Sequence, residues 1–485
     1  MERRWMILAG EYEGAQKRGT DMLYGEIAGY FGYLLPVKRE RDAAASDLAE
    51  NNVIVICGVK SGIAAQYAAA GLLQIPQDEQ GYGFYVGGSI HSDSGQAVVI
   101  AGRADAGVLN GCADFCARYL GDIMWRGKDI WACRTLASPF SRALNPWRVS
   151  EAPVIRERGI WTWGHVIYDY RGFFENMARL RLNSVVIWND VAPINAREVV
   201  EYAHSLGIKL IWGYSWGWGI HCKEILENYD SEALAEIKAR VIEVYEREYK
   251  NTGCDGIYFQ SFTELSVQSV NGICVAEAVT ELVNDIAGAL LAKYPSLELQ
   301  FGLHATSVTD SLDVIARVDE RVRIVWENCG AFPYCYHASD IEGAEKTWEF
   351  TERLVALRGE NERFGAVFKG MLKLDWSEFE HFSEPYILGE RSSRFIAERA
   401  LQKERLWKIQ TADWVKNAEY VRKTAEIIAE SGRDCVVQAL VEDAMLESGI
   451  ALPVAIYAQT LWNPYVPADE TVNIAAKYPC VLPRT

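Results

Sequence analysis

Two glutamates that follow short apolar segments are the residues best suited to chemistry in this chain. Glu264 lies in FQSFTEL and Glu327 lies in VWENCG, each directly after a run with strand character. Apolar neighbours such as Phe262 raise the pKa of a carboxyl group, which suits Glu264 to proton donation. Cleavage of a glycosidic bond needs such an acid and a second carboxylate that acts on the anomeric carbon or on a water molecule. We therefore predict Glu264 as the acid and Glu327 as the second carboxylate, with Asp375 and Asp190 as competitors for the second role.

Aromatic and polar side chains follow the same strand-like segments. The stretch KLIWGYSWGWG alone places four rings, Trp218 among them, in seven positions. A sugar ring lies flat on an indole through its C–H groups, and its hydroxyls bond to carboxylates, amides and imidazoles. We therefore predict an exo-acting glycoside hydrolase for short oligosaccharides, with a uronic acid or an amino sugar among the options. The predicted substrate-binding residues are Trp163, His165, Trp188, Asp190, Trp212, Trp216, His304, Trp326, Asp375, Trp376 and Trp462.

Alternating strand and helix patterns must position these residues. From residue 159 onwards the chain repeats a strand-like run followed by a helical run, which is typical of a TIM (β/α)8 barrel. The eighth predicted strand is PVAIYAQTLW at residues 453–462, preceded by a helical insertion at about 390–450. Residues 1–145 predict a small α/β domain, since four strand-like runs there are accompanied by helical patterns. We predict an α/β fold in which this domain precedes a barrel formed by residues 155–485.

Alternation along the predicted barrel strands separates the barrel interior from the helix layer. The polar faces of the fourth, fifth and seventh strands are formed by Tyr258, Gln260, Phe262 and Glu264, by Gln300, Gly302 and His304, and by Lys369, Lys373 and Asp375. We predict that this face is the interior one, so that it carries ionisable groups to the carboxyl ends of the strands. A lysine inside the barrel must pair with a carboxylate or change its pKa.

Three stretches of the chain resemble known glycoside hydrolases. RLNSVVIWNDV, YAHSLGIKLIWGYSW and GCDGIYFQSFTEL are similar to the barrel of family 67 α-glucuronidases and, more distantly, to that of family 20 β-hexosaminidases. The resemblance covers roughly residues 50–330. It implies a small α/β domain before the barrel and a catalytic acid at the end of the fourth strand, which maps onto Glu264. Family 20 enzymes carry an Asp directly before that Glu to orient the acetamido group of the substrate, whereas this chain has Thr263.

Composition and charge limit the partners of the chain. Its 485 residues carry a formal net charge of −17 and no basic run, which argues against nucleic acid as a ligand. No apolar stretch reaches the length of a membrane span. The apolar part of MERRWMILAG is cut short by the acidic EYE, and the eleven cysteines form no CxxC pair. We therefore predict a cytoplasmic protein with reduced thiols, a small oligosaccharide substrate and no nucleic-acid or membrane partner, while a homodimer is left open.

Two alternatives to a glycosidase remain open from the residues alone. A metal-dependent sugar isomerase or epimerase would gather Glu264, His304, Glu327 and Asp190 as ligands, although no tight ligand spacing such as HxH accompanies them. A non-catalytic carbohydrate-binding barrel would use the same aromatic residues. Our prediction is an enzyme without a metal or cofactor. The loop GVKSG at residues 58–62 is similar to a phosphate loop, but it matches neither G-x-G-x-x-G nor G-x-x-x-x-G-K and predicts no nucleotide site.

Overall fold

The computed structural model of the chain describes residues 3–121, 140, 144–217, 226–227, 231–265, 267–304, 308–327, 344–371, 384–441, 444–478 and 481. Within these ranges the strands form an open six-stranded sheet, a closed eight-stranded barrel and a two-stranded hairpin. None of the helices there combines the length and the apolar composition that crossing a membrane requires.

The open sheet belongs to the first part of the chain. Its strands are β1 (Trp5–Ala9), β2 (Val37–Arg39), β3 (Asn52–Gly58), β4 (Tyr82–Gly88), β5 (Gln96–Gly102) and β6 (Trp147–Glu151). They lie in the order β2-β1-β3-β5-β4-β6, in which β4 is antiparallel to β5 and β6 while the other pairs are parallel. The accompanying helices are α1 (Gly14–Ile27), α2 (Ala45–Glu50), α3 (Gly62–Ala69) and α4 (Asp105–Asp114). The strand β6 lies between the two predicted domains, 1–145 and 155–485, and pairs with β4.

The barrel is closed by parallel strands in the order β10-β13-β14-β15-β16-β7-β8-β9. Its strands are β7 (Glu157–Trp163), β8 (Ser184–Trp188), β9 (Lys209–Ser215), β10 (Gly256–Gln260), β13 (Glu298–Leu303), β14 (Val322–Glu327), β15 (Arg363–Met371) and β16 (Asp434–Val441). The two-residue strands β11 (Ser269–Val270) and β12 (Ile273–Cys274) form the separate hairpin. The predicted TIM barrel with a preceding α/β unit is therefore confirmed.

Helices surround the barrel strands. In chain order they are α5 (Tyr170–Arg179), α6 (Ala196–Ser205), α7 (Ser231–Val244), α8 (Val275–Lys293), α9 (Leu312–Ile315), α10 (Ala344–Val355), α11 (Ser393–Lys416), α12 (Ala418–Glu430), α13 (Leu452–Trp462) and α14 (Ala468–Ala476). The helices α11 and α12 lie between β15 and β16, so a helical segment precedes the last barrel strand as predicted.

The identity of the eighth strand was predicted wrongly. The strand that closes the barrel between β15 and β7 is Asp434–Val441, which lies within the range assigned to the helical insertion. PVAIYAQTLW instead belongs to helix α13, every residue of which is buried. A segment that is apolar on all sides carries no alternation that separates strand from helix. Its Pro453 lies in the first helical turn, a position that favours proline.

On the fourth and seventh barrel strands the structure agrees with the predicted division into interior and helix layer, except at Phe262, which was expected inside the barrel but packs in the outer core. On β10, Ile257 and Phe259 pack into the outer core with the helices, whereas Tyr258 packs inside the barrel. On β15, Phe368 packs outward, and Lys369 lies beside the interior carboxylate of Glu327. Polar groups are thus carried along the inside of the barrel to the carboxyl ends of its strands.

Candidate active site

Aromatic rings line the interior near the carboxyl ends of β7 and β8. The centroids of the Trp161 and Trp163 rings are 4.8 Å apart in an edge contact, and the ring of Trp188 stacks beside Trp161 at 6.2 Å. Tyr258 on β10 meets Trp161 edge-on at 5.6 Å. The indole Nε1 of Trp161 is buried and has no hydrogen-bond partner in the part of the chain that the structure describes. We refer to Trp161, Trp163 and Trp188 below as the indole wall.

The carboxylate of Glu327, at the end of β14, lies within a buried polar cluster that includes Tyr258, the residue that contacts the indole wall. Its Oε2 accepts a hydrogen bond of 2.6 Å from the Tyr258 hydroxyl and another from the Gln260 side-chain amide. The Nζ of Lys369 lies 3.3 Å from Oε1, and the Nε2 of His304 lies 3.4 Å from Oε2. All five side chains are at most 6% exposed. They form the polar cluster of the site.

The polar cluster keeps Glu327 ionised. Burial by itself raises the pKa of the carboxyl group, but the Lys369 ammonium, the His304 ring and the Tyr258 hydroxyl together hold that pKa well below its usual value. A carboxyl group with a lowered pKa is a poor proton donor at neutral pH. It is instead suited to accept a proton, to attack an electrophilic carbon or to stabilise positive charge.

A glycine on the neighbouring strand leaves the space that this cluster occupies. A Cβ placed on Gly302, on the neighbouring strand β13, would collide with the hydroxyl of Tyr258 and lie 3.0 Å from Oε2 of Glu327. The close approach of Tyr258 and Glu327 therefore depends on glycine at this position.

Glu264 lies at the carboxyl end of the fourth barrel strand. It closes a short 3-10 turn, Phe262–Glu264, that follows β10, and its side chain is outside the described part of the structure. The preceding Thr263 is 1% exposed, and its hydroxyl accepts a hydrogen bond of 3.2 Å from the backbone N–H of His304. This bond joins the end of β10 to the end of β13. The backbone of Glu264 thus lies on the same side of the barrel as His304.

Asp190 and His165 also lie just after barrel strands, at the carboxyl end of the barrel. Oδ1 of Asp190, two residues after β8, accepts a hydrogen bond of 3.3 Å from the backbone N–H of Ser215 at the end of β9. His165 lies in the 3-10 turn Gly164–Val166 after β7, with its ring 6.3 Å from that of Trp163. Their predicted roles in substrate binding stay predictions. Among the described side chains, no group of three or more His, Cys, Asp or Glu residues is arranged to hold a metal ion.

Three predicted binding residues point away from the interior. The indole of Trp212 donates a hydrogen bond to the Thr252 hydroxyl, outside the barrel wall. Trp216 stacks on Phe259 at 3.6 Å, and Trp326 meets a phenylalanine of α10 at 5.4 Å. All three tryptophans belong to the core between barrel and helices, and their predicted roles in substrate binding stay predictions.

Trp462 is also misplaced by the sequence reasoning, because it ends helix α13 rather than a strand. Its Nε1 donates a hydrogen bond of 2.9 Å to Glu151 of β6, and its ring packs against Tyr82 of β4. The guanidinium of Arg181 lies 4.2 Å from the ring centre. Trp462 therefore connects the barrel to the open sheet. The other predicted residues Trp218, Lys373, Asp375 and Trp376 lie outside the described residues.

Two members of the polar cluster were not predicted as site residues. Tyr258 and Gln260 both donate hydrogen bonds to Glu327. The sequence could have indicated them as site residues, since they share the predicted polar face of β10 with Glu264. The interior lysine was predicted, and Lys369 pairs with Glu327 in the described structure.

Comparison with known proteins supports the fold. No family model and no curated protein matches the chain. A family 20 β-N-acetylhexosaminidase from Streptomyces coelicolor A3(2) is similar in structure, with a TM-score of 0.51 and 12% identity over 98% of this chain and 91% of that one. A mutant Streptomyces plicatus β-hexosaminidase in complex with GlcNAc has a TM-score of 0.48 and 12% identity, over 99% of this chain and 91% of that one. This chain therefore shares a fold with a family 20 glycoside hydrolase, and the resemblance to family 67 stays a prediction.

Proposed function

We propose that this chain is a glycoside hydrolase that removes sugars from the ends of short oligosaccharides. Glu264 is the general acid in this proposal and Glu327 the second carboxylate. The observation that carries it is the buried carboxylate of Glu327, which is held by Tyr258, Gln260, Lys369 and His304 at the carboxyl end of a TIM barrel. A buried charge is costly unless it is paired, and strongly perturbed carboxyl groups are frequent at active sites. Enzymes of this fold place their active sites at this end of the barrel.

The charge of Glu327 suits the transition state of glycoside cleavage. That transition state resembles an oxocarbenium ion, so positive charge develops at the anomeric carbon. A fixed anion in a site poor in water stabilises such charge without reorganisation. The second carboxylate must be ionised while the acid is protonated, and the lowered pKa of Glu327 supports its assignment to the ionised role.

The contacts of the polar cluster also bear on which class of sugar the site would accept. Thr263 is buried and its hydroxyl is bonded to the backbone of His304, so this position offers no carboxylate to orient an acetamido group. The Lys369 ammonium is paired with Glu327, so its charge is already balanced and does not favour a uronate over a neutral sugar. Neutral hexosides therefore belong in a substrate screen beside the uronides and the N-acetylhexosaminides.

Lys369 also argues against the alternative of a metal-dependent isomerase. A divalent cation held by Glu327 and His304 would have to share the cluster with an ammonium group 3.3 Å from the same carboxylate. Like charges at such distances repel strongly in a buried site.

A panel of nitrophenyl glycosides tests the proposal. The unaltered chain is expected to cleave at least one member, and Glu327→Gln is expected to lose about 10²–10⁴-fold in kcat/KM on it, a loss that Glu264→Gln is expected to show on a natural glycoside. Glu352→Gln, an exposed carboxylate on α10, serves as the matched control and is expected to retain full activity. Sugar binding without turnover by the unaltered chain would favour the carbohydrate-binding alternative and contradict the proposal.

Leaving-group dependence separates the roles of the two glutamates. An activated phenol departs largely unaided, whereas a sugar alkoxide must be protonated as it leaves. Glu264→Gln is therefore expected to lose most activity on a natural glycoside and much less on a dinitrophenyl glycoside, and Glu327→Gln is expected to lose both alike. Equal losses on the two substrates for Glu264→Gln would remove it from the acid role.

The products of a defined oligosaccharide test the exo mode. Terminal monosaccharides are expected to accumulate from the first turnovers. Release of internal fragments from a long polymer would contradict exo action.

A further inference from the structure

A cavity lies outside the barrel, at one edge of the open sheet. Its volume is about 820 Å³, within the range of pockets that hold small metabolites. The segments that follow β1, β2, β3 and β5 line it, so all four parallel strands of that sheet contribute at their carboxyl ends. The charged residues of its lining are Glu11, Glu40, Arg41, Lys60, Arg103 and Asp105.

The cavity coincides with the point at which the sheet changes its winding direction. From β1 the chain moves to β2 on one side, and it then returns to β3 on the other side of β1. Helix α1, which follows β1, packs on one face of the sheet through Leu23 and Ile27. Helix α3, which follows β3, packs on the opposite face through Ile63 and Tyr67. The loops after β1 and β3 therefore diverge, and open α/β sheets bind their ligands in the crevice formed at such a point.

Hydrogen bonds connect the loops around this cavity. The side chain of Gln16 in α1 donates to Asp105 at 2.8 Å and accepts from the backbone N–H of Glu11 at 3.4 Å. The Glu40 carboxylate accepts from the Ser61 hydroxyl at 2.8 Å and from the backbone N–H at position 63 at 3.2 Å. These bonds tie the loop after β1 to that after β5, and the loop after β2 to that after β3. The cavity is therefore largely preformed.

The three cations of the lining are not paired. Arg41, Lys60 and Arg103 come from three different loops, and their exposed side chains make no ion pair or hydrogen bond with any described residue. Two of the three acids have partners, since Glu40 holds the start of α3 and Asp105 holds Gln16. In a chain with a net charge of −17, three unpaired cations around one preformed cavity mark a site for an anion.

We propose that this cavity binds a phosphorylated sugar. Guanidinium and ammonium groups are the side chains that recognise phosphate, and Arg41, Lys60 and Arg103 supply them. The carboxylates of Glu11 and Asp105 accept hydrogen bonds from sugar hydroxyls, the role that an acidic residue plays toward the ribose in dinucleotide-binding sheets. Because Glu40 already occupies the start of α3, side chains rather than that helix hold the phosphate. The site is separate from the barrel chemistry.

Isothermal titration of the full chain tests this proposal. The probes are ribose 5-phosphate, AMP, ribose and inorganic phosphate. Ribose 5-phosphate or AMP, or both, is expected to bind about tenfold tighter than ribose or inorganic phosphate. Tighter binding of ribose 5-phosphate would identify a free sugar phosphate as the ligand type, and tighter binding of AMP would identify a nucleotide. Absence of binding for both at millimolar concentration would overturn the proposal.

Paired variants locate the binding. Lys60→Ala combined with Arg103→Ala is expected to weaken ribose 5-phosphate or AMP binding at least about tenfold, because charge-assisted bonds to phosphate are lost. Arg148→Ala, an exposed arginine on β6 at the far side of the sheet, is the matched control and is expected to bind normally. The double variant removes only exposed, unpaired side chains, so its far-ultraviolet circular dichroism is expected to be unchanged. Unaltered affinity in the double variant, or equal binding of malonate, would overturn the phosphate site.

Discussion

Replacing Lys369 with methionine removes the cation that faces Glu327 inside the barrel. The Nζ and Oε1 atoms are 3.3 Å apart and both side chains are buried. At an effective dielectric constant of about 20, two unit charges at this separation attract by about 5 kcal/mol. Tyr258 and Gln260 still donate hydrogen bonds to the carboxylate in the variant. We therefore expect Lys369→Met to lower the free energy of unfolding by about 3–5 kcal/mol, the range found when one partner of a buried pair is lost.

A double-mutant cycle shows whether the loss comes from the charge that is left behind. Glu327→Gln alone removes the carboxylate that faces the buried Lys369 ammonium and is expected to be similarly destabilising. When both changes are combined, neither charge remains, so the total loss is expected to be at least about 2 kcal/mol smaller than the sum of the single losses. Urea unfolding at pH 7, followed by tryptophan fluorescence, measures all four proteins.

An exposed ion pair provides the control for this cycle. Lys293 on α8 lies 2.8 Å from Glu246, but both side chains are accessible to solvent. Lys293→Met is expected to change the free energy of unfolding by less than about 1 kcal/mol, because water screens such pairs. Additive losses for Lys369→Met and Glu327→Gln would refute the reasoning that the two charges stabilise each other.

The pairing of Glu327 with Lys369 makes the free energy of unfolding depend on pH. The pKa of Glu327 is lower in the folded chain than its unfolded value of about 4.3, so its stabilising contribution is complete above that pH. As the pH falls below about 4.3 towards the folded pKa, this group alone costs about 1.4 kcal/mol of stability per pH unit. The stability advantage of the unaltered chain over Glu327→Gln is thus expected to shrink on acidification below pH 4, as urea unfolding at several pH values would show.

Trp462→Ala is expected to lower the free energy of unfolding by about 3–5 kcal/mol, because this ring packs between barrel and open sheet. Its kcat/KM is expected to stay within about twofold. A large loss of activity in the folded variant would instead support a role for Trp462 in substrate binding. Trp163→Ala is expected to raise KM up to about tenfold through the loss of a stacking surface, whereas Trp326→Ala, in the helix layer, is expected to leave KM unchanged. Burial raises the pKa of the Cys57 thiol to about 12. Peptide mass spectrometry after iodoacetamide treatment at pH 8 is therefore expected to find Cys57 less labelled than the partly exposed Cys274, and equal labelling would contradict its burial.

Alternation predicts the inside of the barrel wherever a strand has one polar face. Gln300 and Lys369 are polar residues without polar neighbours, and Gln260 follows the apolar Phe259. This pattern is enough to assign the three residues to the interior, where the buried cluster lies. The same rule would have placed Trp212 and Trp326 correctly. Ile211 and Val325 pack inside the barrel, so the tryptophan that follows each of them must point outward.

Other features could not be obtained from local patterns. Nothing in the sequence indicates that Lys369 pairs with Glu327 rather than with Asp375, because strand register across the barrel determines which side chains meet. Helix α13 is buried on all sides, so its composition is compatible with either a strand or a helix. The role of Trp462 depends on contacts with Glu151 and Tyr82, which lie more than 300 residues away along the chain.

Gly302 has a consequence for how substitutions in this chain would be interpreted. A selection for activity over all single substitutions would reject nearly every residue at position 302, because even a methyl group there displaces the hydroxyl of Tyr258 from Glu327. In such data Gly302 would be indistinguishable from a catalytic residue, although it has no side chain with which to act. The substitution map of this site thus records the space that the carboxylate needs as well as the groups that perform the reaction.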